Sequence, residues 1–237
     1  LADPGMVVIG PRTRRLLGGL FEYRELGPVA LKGIAEPLPA FAVLGRGAVE
    51  SRFEARQEGA VSPLVGRDEE LQVLLARWRQ AKAGEGQVVV LTGEPGIGKS
   101  RIVQALQDRL AEEPHIRLRY FCSPRHQDSA LHPWIAQFAG AACFERDDDS
   151  LARFRKLDTL FERTAAPAED RALIAELLAL PGAAARYGPL HLTPPHRKRN
   201  TLQALIRHLE GFARAQTVLM SFEYVHWIEP TSLELLD

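Results

Sequence analysis

The sequence predicts an α/β fold, in which a parallel sheet carries flanking helices, preceded by a smaller β-rich segment. From Pro63 onward, helical periodicity alternates with short apolar runs, which is the pattern of strand–helix–strand units. Residues 87–92 contain four consecutive aliphatic side chains, as expected of a strand that is buried on both faces. We therefore expect this strand to lie inside the parallel sheet.

The chain of 237 residues divides by composition into three segments. Residues 1–47 are β-rich but too few to bury a sizeable core alone, so we expect them to be the end of a larger domain. Residues 48–62 are polar, lack an apolar face and are interpreted as a linker. Residues 63–237 are predicted to form the α/β domain.

The first segment is predicted to hold one short helix and two strands. Alternation favours a strand at residues 21–26, and an apolar run favours another at residues 38–44. A weaker helical face covers residues 11–20. Turns are expected at Gly27, Pro28, Gly33 and Pro37.

The larger segment begins with a helix whose first turn, from Asp68, is acidic and therefore suits the positive end of the helix dipole. This helix places Leu71 and Trp78 on one face. Thr193 followed by two prolines predicts the start of a long helix. Helices are predicted at residues 101–111, 131–142, 150–163, 168–180 and 195–215, and strands at residues 116–121 and 217–222.

Composition indicates an ordinary soluble protein. Thirty basic side chains balance thirty acidic ones, so charge gives no reason to expect nucleic acid or a membrane surface as partner. Cys122 and Cys143 lack metal-ligand spacing and fit a reducing cytoplasm, where we expect the protein to lie. The chain begins at Leu1 and ends at Asp237 within an apolar helical pattern, which suggests a piece of a longer polypeptide.

The strongest motif is GxxxxGK[ST], which follows the predicted strand and precedes a helix. In a P-loop, glycines let backbone N–H groups surround an anion, Lys99 reaches the phosphates and the Ser100 hydroxyl binds Mg²⁺. The motif predicts a P-loop NTPase that binds ATP with Mg²⁺. The expected binding residues are Gly93, Glu94, Pro95, Gly96, Ile97, Gly98, Lys99, Ser100 and Arg101.

A second acidic position is expected where the strand at residues 217–222 ends. Glu223 stands there, and we predict that it is the Mg²⁺-side acid and the candidate catalytic residue. The next residue is Tyr224, and a phenol keeps its proton at pH 7, so it cannot act as a base. Glu229 is spaced poorly for that role. ATP binding is therefore predicted more firmly than hydrolysis.

Three blocks of sequence in this order resemble the STAND/AAA-type signal-transduction ATPases of bacteria. They are PLVGRDEEL at residues 63–71, the P-loop, and FEYVHWIEPTSL at residues 222–233. The resemblance implies that Val65, Gly66 and Arg67 lie near the adenine. The family has an aspartate where this chain has Tyr224, so a weak ATPase and a scaffold that holds ATP without hydrolysis both remain open.

The first segment resembles the last strands of class III adenylate/guanylate cyclase domains, above all in LKGIAEP at residues 31–37. Residues 120–131 are also similar to cyclase–ATPase fusions. The metal-binding aspartates and the Asn and Arg of such cyclases lie upstream of this segment, so no cyclase activity is expected. Lys32 matches a lysine that approaches substrate in a complete cyclase, or it is a surface turn lysine.

Taken together, the residues and the resemblance predict an ATP-dependent switch in bacterial signalling. Expected partners are ATP or ADP, an upstream cyclase domain, a C-terminal repeat or effector region and a second copy of the chain. A DNA-associated AAA loader is disfavoured by the neutral charge, and a GTPase by the lack of an NKxD-type motif. We expect neither a membrane span nor nucleic-acid binding.

Overall fold

The structure is a computed structural model. It describes residues 2–31, 33–34, 36–46 and 64–237. The chain forms two compact units, Leu1–Ala111 and Glu112–Asp237. The predicted linker at residues 48–62 and Lys32 lie outside the described residues, and the predicted domain boundaries stay predictions.

Within the described part of the first unit, an antiparallel sheet has the strand order β1-β3-β2. Its strands are β1 (Val7–Ile9), β2 (Phe21–Val29) and β3 (Leu38–Arg46). Helix α1 (Pro11–Leu17) and a 3₁₀ turn (Gly18–Leu20) join β1 to β2. Both predicted strands are confirmed, and the α-helix ends where two glycines follow it.

The turn predicted at Gly27 and Pro28 is wrong, because β2 continues through both residues. The register shifts between Glu25 and Gly27, and Gly27 has a φ of 80°. A glycine in this left-handed conformation lets the strand bulge without reversing. Among the described strands, β2 lies at the edge of its sheet, so no second described neighbour needs the N–H that Pro28 lacks.

The remainder of the first unit contains helix α2 (Asp68–Lys82) and helix α3 (Lys99–Arg109), which contact one another. Helix α2 buries the predicted face with Leu71 and Trp78, and α3 buries Ile102 among its apolar residues. Both predicted helices are confirmed within two residues at their starts, so the P-loop is followed by a regular helix.

The strand predicted at residues 87–92 is absent from the described structure. These residues lie outside helix and strand, and Val88 is 92% and Val90 72% exposed. A strand needs a neighbour that completes its backbone hydrogen bonds, and no described strand pairs with this segment. The apolar run indicates that the segment would be buried on both faces if it formed a strand, but it does not specify which strand would pair with it.

The second unit combines a parallel pair of strands with helices. The strands β4 (Ile116–Phe121) and β5 (Val218–Glu223) pair from Ile116 opposite Val218 to Phe121 opposite Glu223. The strand β4 has its predicted bounds, and β5 is confirmed one residue later than predicted, so that it includes Glu223. The helices are α4 (His132–Ala141), α5 (Ser150–Glu162), α6 (Ala168–Leu177), α7 (Ala183–Tyr187), α8 (Pro194–Ala215) and α9 (Pro230–Leu236).

The core of the second unit lies on one face of the β4–β5 pair. Tyr120 and Phe222 stack with ring centroids 4.4 Å apart, and the buried Trp134 of α4 packs against Tyr120. Helices α5, α6 and α8 add buried side chains, among them Leu157, Ile174 and Leu205. The opposite face of the two strands carries their polar residues and so sets the position of Glu223.

Helix ends in this unit follow local backbone geometry. Helix α6 ends at Leu177, three residues before its predicted end, because Ala179 adopts a φ of 51°. The amide of Leu180 then donates to the carbonyl of Ala175, as in a Schellman cap. Thr193 precedes α8 as predicted, but its side chain makes no capping hydrogen bond.

Candidate functional site

The P-loop has the backbone conformation that its glycines allow. Gly93, Gly96 and Gly98 have φ values of 150°, 86° and 104°, which L-residues with side chains rarely adopt. A Cβ on Gly93 would lie 3.1 Å from the Ile97 Cγ2 atom. Helix α3 begins at Lys99 immediately after the loop. The loop therefore opens an 11-residue helix, whose N–H groups and dipole favour an anion.

The Lys99 ammonium lies within the loop. Its Nζ donates hydrogen bonds to the carbonyl oxygens of Gly93 at 2.7 Å and Glu94 at 3.0 Å. The cation is thereby held beside the backbone that would surround a phosphate. Ser100, half-buried in the first turn of α3, belongs to the same loop end. The predicted cradle and its cation are thus together in one unit.

Arg67 links the predicted adenine-side segment to the P-loop. Its Nη2 lies 3.4 Å from the carbonyl oxygen of Ile97, and its Nη1 donates to Glu70 Oε1 at 2.6 Å. The hydrogen bond from Arg67 lowers the pKa of Glu70. Val65 is exposed and Gly66 has a φ of 66°. Of the three predicted residues, Arg67 is the one with a hydrogen bond to the loop.

Arg101 is directed along the helix. Its Nη1 lies 3.8 Å from the Asp108 carboxylate, about two turns further along α3. This contact gives no support to the predicted phosphate role of Arg101.

The predicted acid, Glu223, is in the second unit and is already paired. Its Oε1 accepts a hydrogen bond from Arg119 Nη2 at 2.8 Å. The exposed fractions of the two side chains are 17% and 7%. The Arg119 guanidinium also lies 5.1 Å from the centroid of the Phe121 ring, within cation–π distance. Glu223 is thus the acidic end of a largely buried ion pair.

Tyr224 follows Glu223 in an unusual conformation. Its φ of 59° is in the left-handed region, and its side chain is 47% exposed. The rings of Tyr224 and His226 lie 6.4 Å apart, and those of His226 and Trp227 lie 5.0 Å apart. The residue that replaces the expected aspartate therefore presents a phenol to solvent.

The buried carboxylate of Glu229 is hydrogen-bonded to backbone amides. Glu229 is 2% exposed, and its carboxylate accepts hydrogen bonds from the amides of Leu131 at 2.8 Å, Thr231 at 2.7 Å and Ser232 at 2.7 Å. Two of these bonds cap α9, and the third holds the residue before α4. Glu229 is therefore a helix cap that joins two segments of the unit.

Arg119 is the residue of this region that sequence reasoning missed. It is one of two arginines that alternate with apolar residues in β4, so the sequence offers a signal for charged residues on one face of the strand but does not distinguish Arg119 from Arg117. The partner of Arg119 is 104 residues away in the chain, so the pairing itself could be found only from the register of β4 and β5.

The remaining candidates do not form a second centre. Cys122 is buried, and burial, with Glu229 nearby, raises the pKa of its thiol to about 11. The rings of His126 and His132 stack at 3.5 Å. Among the described residues, no group of three or more His, Cys, Asp or Glu side chains has the arrangement of a metal site. No described helix is both long enough and apolar enough to be a membrane span.

The residues of the first unit suit a nucleotide polyphosphate. The glycine conformations, the helix start and Lys99 provide backbone donors and one cation for it. The Ser100 hydroxyl is of the kind that holds Mg²⁺ on such a phosphate. The Oε1 atom of Glu223 is already hydrogen-bonded to Arg119, and the Mg²⁺-side role of Glu223 stays a prediction.

Comparison with known proteins supports the interpretation of this loop as the P-loop of an ATPase domain. The family model of the AAA ATPase domain matches residues 63–237, and domains of this kind typically use ATP and Mg²⁺. An uncharacterized protein of Rhizobium meliloti (strain 1021) is 31% identical over the whole of this chain, which covers 22% of that relative's length. No solved structure gives a significant match. With most of its length matched, the chain belongs to the AAA ATPase domain family.

Proposed function

We propose that the chain is the ATP-binding regulatory module of a bacterial signal-transduction ATPase and works as a nucleotide-dependent switch. The observation that carries this proposal is the P-loop, in which Lys99, the first residue of α3, donates hydrogen bonds to the carbonyls of Gly93 and Glu94. ATP is bound by its phosphates at this loop, with Mg²⁺ at Ser100.

The wider setting of the switch rests on the sequence. The resemblance of residues 1–47 to the end of a class III cyclase domain supports an upstream cyclase as the module that the switch controls. The antiparallel sheet of β1, β2 and β3 is compatible with that origin. A C-terminal effector region, self-association and a cytoplasmic location belong to the same proposal.

A second candidate function is a scaffold that holds ATP without hydrolysing it. Two observations favour it. Tyr224 stands where the related ATPases have an aspartate, and the Glu223 carboxylate is engaged by Arg119. Both candidates require ATP binding, and they differ in turnover.

Calorimetric titration of this chain with ATP and with ADP, in the presence of Mg²⁺, tests the proposal. Lys99→Ala should weaken ATP binding by about 30-fold or more, because a charge-assisted contact worth about 2 kcal/mol is lost. The matched control is Lys198→Ala, which removes an exposed lysine that pairs with Glu234 and should leave affinity unchanged. A folded chain that binds no ATP would refute the proposal.

Single-turnover hydrolysis separates the two candidates. Hydrolysis by the unmodified chain supports the switch ATPase. An inert chain whose Tyr224→Asp variant hydrolyses ATP supports the scaffold and identifies Tyr224 as the reason.

A further inference from the structure

Arg67 reaches from the start of helix α2 to the P-loop, and its contacts indicate which part of a nucleotide it serves. We propose that Arg67 is a positioning residue that fixes the P-loop through the carbonyl of Ile97 and so serves the phosphates of ATP, not the adenine. The inference rests on the proposed ATP binding and involves only residues of the unit Leu1–Ala111.

The start of helix α2 is anchored in this unit. Arg67 immediately precedes the helix, and its carbonyl accepts a hydrogen bond from the amide of Leu71 at 3.1 Å. Leu71 is 4% exposed and α2 contacts α3, so apolar burial holds this end of the helix in place. The Arg67 side chain therefore extends towards the P-loop from a fixed backbone position.

Both terminal nitrogens of the Arg67 guanidinium are engaged. Nη1 donates to Glu70 Oε1 at 2.6 Å, and Nη2 lies 3.4 Å from the carbonyl oxygen of Ile97. A guanidinium is planar and presents its N–H groups in a rigid fork, so the bond to Glu70 sets the direction of the contact with Ile97. The two side chains are 34% and 42% exposed, so water weakens their attraction and we expect a modest effect on the loop.

The carbonyl of Ile97 lies where it controls an amide of the phosphate cradle. In a trans peptide unit, the C=O of one residue and the N–H of the next lie in one plane and point in opposite directions. Because Arg67 contacts the carbonyl of Ile97, it also fixes the direction of the N–H of Gly98. Gly98 has a φ of 104° and is the last residue before helix α3, where backbone N–H groups bind an anion. The guanidinium thus orients a phosphate donor from the other side of the loop backbone.

Arg67 and Lys99 act on different carbonyl groups of the loop. Lys99 donates to the carbonyls of Gly93 and Glu94. The amide of Ile97 donates to the carbonyl of Glu94 at 3.3 Å, which connects the two sets of contacts. When Lys99 turns to a phosphate, its two carbonyls lose their cation, whereas nothing in that movement requires Arg67 to release Ile97.

The test compares ATP with inorganic tripolyphosphate, which carries phosphates without a base, both titrated in excess Mg²⁺. Arg67→Ala should weaken the binding of both by about fivefold, because one charge-assisted contact with the loop is lost, and the ratio of the two Kd values should stay within about twofold. Glu70→Gln keeps Arg67 but loosens its fork, and should weaken both by about two- to threefold. Glu69→Gln removes an acid from the same first turn and is the matched control, which should leave both Kd values unchanged.

Amide hydrogen exchange without nucleotide provides a readout that does not depend on ATP. The amide of Ile97, which donates to Glu94, should exchange about fivefold faster in Arg67→Ala, because the loop opens more often. The amide of Leu110, which donates to Leu106 near the end of α3, should keep its rate. A general loss of stability would accelerate both amides.

A loss of affinity in Arg67→Ala that is confined to ATP would overturn the inference, because it would place the guanidinium at the base. Unchanged binding of both ligands, or an unchanged exchange rate at Ile97, would overturn it as well. Failure of the proposed function looks different, since the unmodified chain would then bind neither ATP nor tripolyphosphate, and the exchange at Ile97 would decide the role of Arg67 alone.

Discussion

Glu229→Gln is expected to destabilise the second unit by about 2–4 kcal/mol. The carboxylate accepts three backbone hydrogen bonds while almost fully buried, and a hydrogen bond to a charged group contributes about 1.5–3 kcal/mol. Glutamine keeps one carbonyl oxygen for the amides of Leu131 and Ser232, both of which now bond to Oε1. Its NH₂ group then faces the N–H of Thr231, so one charged bond is lost and two are weakened.

Urea unfolding followed by circular dichroism measures this loss, and amide hydrogen exchange locates it. The amides of Leu131, Thr231 and Ser232 should exchange faster in the variant, because their common acceptor has been weakened. Glu234→Gln on the same helix is the control, and its exposed ion pair with Lys198 should cost no more than about 0.5 kcal/mol. If Glu229→Gln unfolds within about 0.5 kcal/mol of the unmodified chain, the carboxylate does not hold these segments together.

Two further predictions concern the packing of α8. Gly211→Ala should destabilise the unit by about 1–3 kcal/mol, since its Cβ would lie 2.7 Å from Thr164 Cβ. As a control, Gly140→Ala in α4 should stabilise the unit by about 0.5–1 kcal/mol, because its Cβ meets nothing within 4 Å. Thermal unfolding that shifts the melting temperature of both variants in the same direction would contradict this. Burial lowers the pKa of His208 from its ordinary 6.5 to about 4. As the pH falls below 6.5, His208 becomes protonated in the unfolded chain while it stays neutral in the folded chain. The folded state therefore has its full stability above pH 6.5 and loses stability as the pH falls towards 4. Between pH 7 and 4.5 this should remove about 2–3 kcal/mol that His208→Phe does not lose; equal pH dependence of the two chains would refute the assignment.

The parts of the fold that were predicted from sequence are those fixed by local pattern. Helix α5 and the strand β4 lie within one residue of their predicted bounds, because their apolar periodicity is strong and short-range. The P-loop was predictable for the same reason, since three glycines and the start of a helix determine its backbone. Residues 87–92 have an equally strong apolar pattern, yet they form no described strand. Strand formation depends on a neighbour that the pattern does not specify.

Glu223, at the end of β5, also shows that sequence does not predict contacts between residues far apart in the chain. Sequence position predicts Glu223 as the Mg²⁺-side residue, and the structure adds an ion pair with Arg119 that the sequence does not predict. That pairing joins residues far apart in the chain, so it follows only from the strand register. Glu229 had a local signal that was missed, because a residue followed by proline at the start of a helix is a capping position.

Glu223 and Glu229 are the carboxylates near Tyr224 that the proposed ATPase could use to activate water. Glu229 is committed to three amides and Glu223 to a guanidinium, while Tyr224 between them offers a phenol in place of a base. Activating a water with either carboxylate would require a buried group to leave its partners, at a cost that ATP binding at the P-loop does not incur. The proposed ATP binding rests on the local geometry of residues 93–100, which involves neither carboxylate. Of the two proposed functions, the scaffold that holds ATP without hydrolysis is the one that these engaged carboxylates favour.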